Sequence, residues 1–131
     1  MKTKKIWANL AVDNLERTTN FYTQIGFTPN GSSEELTSFI VGEKGFIIHF
    51  FLKDVLQTNI KGTLVDPGEA NEIIFTISAS STAEADAWAE EVRNAGGTLV
   101  SQPEAFGKGY YGFVFADPDG HRFNVFFMEG L

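Results

Sequence analysis

The chain has 131 residues, 43% of them apolar or aromatic and 13 of them phenylalanine. That is enough for one packed domain, and it excludes both a disordered chain and a disulfide-dependent miniprotein. Ten Lys and Arg against seventeen Asp and Glu leave a formal charge of −7, and cysteine is absent. The charge excludes non-specific nucleic-acid binding, and the missing thiols exclude disulfides, thiolate catalysis and thiol-rich zinc sites together.

Three lysines stand within residues 1–5, with no long apolar segment behind them, so no signal peptide is expected. The longest apolar runs, residues 46–48 and 50–52, flank His49 and are too short to span a bilayer. A cytoplasmic protein without a membrane partner is the expectation.

Residues 6–12 read as a strand. Asp13 follows as a helix cap, with Glu16 three residues later completing a capping box. Leu15, Thr19, Tyr22 and Ile25 recur at helical spacing with Phe21 beside them, and Gly26 ends the helix. Short strands are expected at 27–30 and 36–41, and a strong one at 46–52 after the turn Gly42-Glu43-Lys44-Gly45. Residues 53–70, with Gly62, Pro67 and Gly68, read as an irregular crossover.

The same programme then repeats. Residues 72–79 form a strand, Ser81 and Glu84 a capping box, and Ala85, Trp88, Val92 and Ala95 an apolar stripe closed by Gly96. Strands at 98–101 and 110–115 follow, and the Gly107-Lys108-Gly109 segment between them reads as a loop over a cavity mouth. Asp117-Pro118-Asp119-Gly120 places Pro and Gly where a type I turn takes them, and residues 121–127 form the last strand. Matching the turns sets residues 46–51 over 121–126, an offset of 75. Matching the first strands sets Trp7 over Ile74 and Asn9 over Thr76, an offset of 67. The chain is therefore a duplication, with a few residues inserted in the second half.

Alternation assigns the faces. Ile48, Phe50 and Leu52, like Phe123, Val125 and Phe127, belong to a greasy face under a helix. Trp7, Asn9, Ile47, His49 and Phe51 belong to a mixed polar and aromatic face, as do Ile74, Thr76, Arg122, Asn124 and Phe126. A buried mixed face needs partners or a ligand for its polar groups. No Asp, Glu or Ser is spaced along the sequence to orient His49, so that residue reads as a ligand contact or structural group rather than a catalytic one. Arg122 there suits a carboxylate or phosphate, with Lys108 a second possible anion contact, and Trp7 and the Tyr110–Tyr111 pair suit stacking on a planar molecule.

Residues 9–15 (NLAVDNL), Phe21-Tyr22, Ile25-Gly26-Phe27 and residues 115–121 (FADPDGH), in this order, resemble the glyoxalase, bleomycin-resistance and extradiol-dioxygenase superfamily, the vicinal oxygen chelate group. The resemblance covers nearly the whole chain. It implies an α+β fold, two repeated βαβββ modules forming a cupped, half-barrel mixed sheet. Residues 1–131 make a single domain in this reading, module one about 1–60 and module two about 71–131, often completed as a homodimer.

In the metal-dependent members four side chains, usually His, Glu or Gln, His and Glu, hold a divalent ion. Carried over by register, these positions are Trp7, His49, Ile74 and Asn124, of which only His49 is a good ligand. The expectation is therefore a small-molecule-binding protein without metal or other cofactor. Its ligand-binding residues are Trp7, Asn9, His49, Tyr111, Arg122 and Asn124. A glyoxalase-like lyase, isomerase or dioxygenase, and a ligand-free structural or regulatory dimerisation domain, are the alternatives.

Overall fold

A computed structural model describes residues 1–131, which divide into two compact units, 1–64 and 65–131. In the first unit β1 (Trp7–Val12), α1 (Leu15–Gln24), β2 (Thr28–Ser32), β3 (Leu36–Val41), β4 (Phe46–Leu52) and α2 (Lys53–Ile60) follow in order. The sheet runs β1-β4-β3-β2, with β1 parallel to β4 and the other pairs antiparallel. A parallel pair cannot be closed by a tight turn, so α1 and the β2–β3 hairpin occupy the crossover.

The predicted faces hold. Ile48 and Phe50 are buried while Ile47, His49 and Phe51 are only half-buried. Tyr22 from α1 is fully buried and stacks on Phe50 at 4.4 Å and Phe27 at 5.3 Å, with Phe39 at 5.7 Å. Offset ring packing of this kind adds to the area that each aromatic side chain removes from water.

Two local readings are corrected. The cap of α1 is Asn14, whose side chain accepts from the Arg17 N–H at 2.9 Å. Asp13 stands one residue too early for that reach, which leaves Glu16 at the second helical position and unable to close a box. The buried face accordingly centres on Thr18, Phe21 and Tyr22, with the Thr19 hydroxyl at its border donating to Leu15 O and sharing a second hydrogen bond with the Thr37 hydroxyl. The expected irregular stretch from residue 53 opens instead with α2, which the buried Leu56 anchors against the sheet. It ends at Lys61 in the left-handed conformation, φ 55°.

The second unit contains β5 (Phe75–Ser78), α3 (Thr82–Asn94), β6 (Thr98–Leu99), β7 (Glu104–Phe106), β8 (Tyr110–Ala116) and β9 (Arg122–Met128). Its sheet runs β5-β9-β8-β6, again with the first and last strands parallel. β6 and β7 pair with opposite ends of β8 and together take the place that β2 holds in the first unit. Ala85, Ala89 and Val92 of α3 are buried, as are Phe113, Phe115, Phe123 and Val125 of the sheet. Phe115 and Phe123 stack at 5.2 Å, nearly parallel.

The Ser81 cap of α3 accepts from Glu84 N–H at 3.0 Å, and Glu84 Oε2 reaches back to the Ser80 N–H at 2.5 Å. The capping box therefore forms with its return bond one residue earlier than expected. β5 is shorter than the predicted strand, because its parallel pairing with β9 begins only at Phe75 and Phe123. Gly107-Lys108-Gly109 is the hairpin loop closing β7 onto β8, where Phe106 pairs with Tyr110.

The two sheets share one register. β1 meets β4 at Asn9 and His49, and β5 meets β9 at Thr76 and Asn124, which are the positions related by the offsets of 67 and 75. The inserted residues are now located. α3 has 13 residues against 10 in α1. The path from the second to the third strand, Leu99 to Phe115 against Pro29 to Phe39, is six residues longer. The final turn is one residue shorter, since Asp117 N–H bonds to His121 O where Val41 pairs with Phe46.

Candidate functional site

His49 is the centre of the mixed face in the first unit. Asn9 stands directly across from it on β1 and Ser38 directly across on β3, and paired residues in adjacent strands share a face. His49 Nδ1 and Ser38 Oγ are 2.9 Å apart, and Asn30 Nδ2 from β2 donates to the same Oγ at 3.0 Å. The Trp7 ring lies 6.2 Å from the imidazole at 67°, and Phe51 lies on it at 6.1 Å and 88°. Ser38 is 3% exposed and Trp7 51%, so a polar chain rises from the buried sheet and surfaces at a half-buried imidazole with two aromatic neighbours.

Ser38 and Asn30 are the site residues that sequence reasoning misses, and Ser38 corrects the expectation that nothing orients His49. The signal for Ser38 lay in the antiparallel turn. Counting outward from Gly42-Glu43-Lys44-Gly45, the pair Val41–Phe46 leads three steps later to Ser38–His49. Asn30 had no such signal, because the β2–β3 pairing shifts register between Pro29 and Ser32.

In the second unit Asn124 holds the position equivalent to His49, and its Nδ2 makes a long bond, 3.5 Å, to Thr76 Oγ1. Arg122 is exposed on the same face. Its backbone N–H donates to Asn71 Oδ1 at 3.2 Å, and it borders an open pocket of about 170 Å³ formed by residues 67–71 with Ile74. The structure thus groups Trp7, Asn9 and His49 on one sheet face and Arg122 and Asn124 on the corresponding face of the other sheet.

Tyr111 stands apart from both groups, contrary to its predicted place. One residue of parity puts it on the helix side of β8, where its hydroxyl donates to Asp86 Oδ1 of α3 at 2.5 Å. Tyr110 takes the mixed face instead, 5.3 Å from Phe126 and 5.9 Å from Phe106.

The bond to Asp86, with some desolvation and the carboxylate's charge, pushes the Tyr111 phenol above its ordinary value of 10.0. Because the folded value is the higher one, this contact stabilises the fold fully below about pH 10 and its contribution is lost as pH rises through the raised value. Absorbance titration of the phenolate band is expected to show one late-ionising tyrosine that returns toward 10 in Asp86→Asn. An unchanged titration in that variant would show that Asp86 is not the cause.

The four positions that the family resemblance marks for a divalent ion do not fit one. Trp7 and Ile74 carry no ligating atom and the Asn124 amide is turned to Thr76, which leaves His49 as a single good ligand where a transition metal needs several. No three or more His, Cys, Asp or Glu side chains gather anywhere in the structure to hold a metal. Nor is any helix long and apolar enough to cross a membrane.

Comparison with known proteins agrees with this architecture. A structure of a hypothetical protein from S. aureus is 28% identical with a TM-score of 0.85, covering 97% of this chain and 95% of that one. A glyoxalase-related enzyme from Fulvimarina pelagi is 24% identical with a TM-score of 0.82, covering 95% and 88%. A lactoylglutathione lyase from Agrobacterium tumefaciens is 19% identical with a TM-score of 0.69, covering 97% and 96%. No curated protein matches the chain. The family model for the glyoxalase/bleomycin resistance protein/dioxygenase superfamily matches residues 6–125, and with two βαβββ units in one register the chain belongs to that superfamily.

Proposed function

We propose that this protein is a metal-independent small-molecule-binding member of its superfamily, taking up a small organic ligand without transforming it, with residues 1–131 acting as one domain. The observation that carries the reading is the composition of the His49 face. An imidazole fixed through Nδ1 by Ser38 and neighboured by Trp7 and Phe51 offers one polar contact on an aromatic surface, which suits a planar ligand with a single polar edge. On the corresponding face of the second unit, Arg122 and Asn124 are taken in this reading as ligand contacts of their own, an exposed guanidinium and an amide suited to a carboxylate or phosphate.

The test is a titration of Trp7 emission in the Trp88→Phe variant with a panel of planar aromatic acids and bleomycin. Saturable quenching by at least one of them, unaffected by chelator, is expected. His49→Ala should weaken it by about tenfold, since one hydrogen bond to a half-buried group is worth roughly 1–1.5 kcal/mol. The reading is overturned by one tightly held divalent ion per chain that is lost in His49→Ala, measured by native mass spectrometry with elemental analysis. Metal-dependent conversion of a panel member would overturn it equally and favour the lyase, isomerase or dioxygenase reading.

The same reading includes a homodimer in the cytoplasm. Ile6 and Trp7 before and at the start of β1 are 78% and 51% exposed, and their counterparts Ile73 and Ile74 are 67% and 44% exposed. Apolar groups exposed at equivalent places in both units are reasonable contacts for a second copy, and light scattering of the purified chain reads the mass directly.

A further inference from the structure

We infer that the chain from Asn30 through Ser38 fixes His49 as its Nε2–H tautomer, and so makes His49 a hydrogen-bond donor to an oxygen acceptor on the bound molecule. For the ligand this rests on the binding role proposed for the same face; for the tautomer it rests on the hydrogen bonds alone.

A serine hydroxyl has one hydrogen to give and two lone pairs to receive with. Asn30 Nδ2 already donates to Ser38 Oγ. The other side-chain partner of Ser38 is His49 Nδ1 at 2.9 Å, and Ser38 is 3% exposed, so no water is at hand to take the hydroxyl hydrogen. If Nδ1 carried the imidazole proton, Ser38 Oγ would face two donors and its own hydrogen would be buried without an acceptor, the arrangement that folded proteins avoid. The hydrogen therefore goes to Nδ1, and the single proton of the neutral ring sits on Nε2.

That nitrogen bonds to no protein group and belongs to a half-buried ring in contact with Trp7 and Phe51. An Nε2–H neither ligates a metal nor accepts a proton at that atom. It selects a carbonyl or carboxylate oxygen, and it rejects a ligand that presents only a donor there, because two donors cannot share the contact. Ser38 and Asn30 are positioning residues in this scheme, and they decide which polarity of ligand edge the aromatic surface accepts.

The experiment is a two-bond ¹H–¹⁵N correlation spectrum of the full chain with ¹⁵N-labelled histidine, at a pH where the imidazole is neutral. His121→Gln assigns the signals, since His49 and His121 are the only histidines. The wild type is expected to show His49 protonated at Nε2 alone. Asn30→Asp replaces the amide donor by an acceptor. The Ser38 hydroxyl then turns to residue 30, Oγ accepts from Nδ1–H, and the spectrum should invert. Asn30 lies on the exposed edge strand, so this variant keeps its fold. An Nδ1–H signal in the wild type, or a tautomer unmoved by Asn30→Asp, overturns the inference. The two readings fail separately: the expected tautomer with no ligand uptake removes the binding role, and an inverted tautomer with uptake intact removes this inference.

Discussion

Gly112→Ala is expected to cost the second unit at least about 3 kcal/mol, a large share of the roughly 5–15 kcal/mol that holds a domain together. Gly112 is buried in β8 opposite Phe126 of β9. A Cβ built on it would lie 1.9 Å from Val125 O and 2.9 Å from Val125 C. Those atoms belong to the backbone of the neighbouring strand, so no side-chain rotation can make room. β8 must separate from β9, and both are inner strands of the sheet. Alanine in place of glycine normally stabilises slightly by restricting the unfolded chain, which gives a sharp control. At Gly62 the nearest atoms to an added Cβ are 3.8 Å or more away, and Gly62→Ala should leave stability within about 0.5–1 kcal/mol of the parent. Denaturant unfolding of the two variants decides the matter. If Gly112→Ala unfolds at the same midpoint as Gly62→Ala, the close approach of the two strands does not limit the fold.

The contrast between these two glycines also shows how much the sequence reveals. Both stand in unremarkable contexts, and nothing local separates a glycine pressed against a neighbouring strand from one whose surroundings lie at ordinary contact distance. What was legible depended on period and on turn chemistry. Residues 46–52 and 121–127 alternate strongly enough to assign both faces, and the two turns before them fix the duplication and the equivalence of His49 with Asn124. Trp7, Asn9, His49, Arg122 and Asn124 fall on the predicted faces for that reason. Tyr111 does not, because in a strand one residue of parity exchanges the faces, and the broken second strand ahead of it, β6 then β7, carries no alternation from which to count. Asp13 and Asn14 are equally good caps by residue type, and only the geometry of the first turn chooses between them. α2 has a single buried anchor, Leu56, too little for a helical stripe to show. Ser38 acts on His49 through strand pairing, a contact 11 residues away in sequence that is legible only by counting the antiparallel register outward from the turn at residues 42–45.

Asp117→Ala is the second substitution with a large expected effect, about 3–5 kcal/mol, because one carboxylate oxygen organises the turn into β9. Asp117 is 4% exposed, and its Oδ1 accepts from the N–H groups of Asp119, Gly120 and His121 at 3.0, 2.9 and 2.8 Å. Alanine would leave the backbone donors of a tight, partly buried turn without their shared acceptor. A hydrogen bond to a charged group is worth about 1.5–3 kcal/mol, and three on one oxygen add to less than their sum. Asp117→Asn keeps an oxygen in place and loses only the charge, so it should cost about 1–2 kcal/mol. If alanine costs no more than asparagine, the oxygen is not what holds the turn. The turn is also fastened from outside. Asn71 Nδ2 donates to Gly120 O at 3.1 Å and to Pro67 O at 2.9 Å. Gly120 adopts φ +106°, and an added Cβ there would come within 2.7 Å of the Gly68 backbone. Asn71→Ala alone should be milder than Asp117→Ala, since the three backbone groups it frees, Pro67 O, Gly120 O and the Arg122 N–H, lose bonds to a neutral amide rather than to a charged carboxylate. Once Asp117→Ala has loosened the turn, Asn71 has no fixed Gly120 carbonyl to bind. The double variant is therefore expected to lose less than the sum of the two single losses, by about 0.5 kcal/mol or more. Strict additivity would mean that Asp117 and Asn71 hold different structures rather than one.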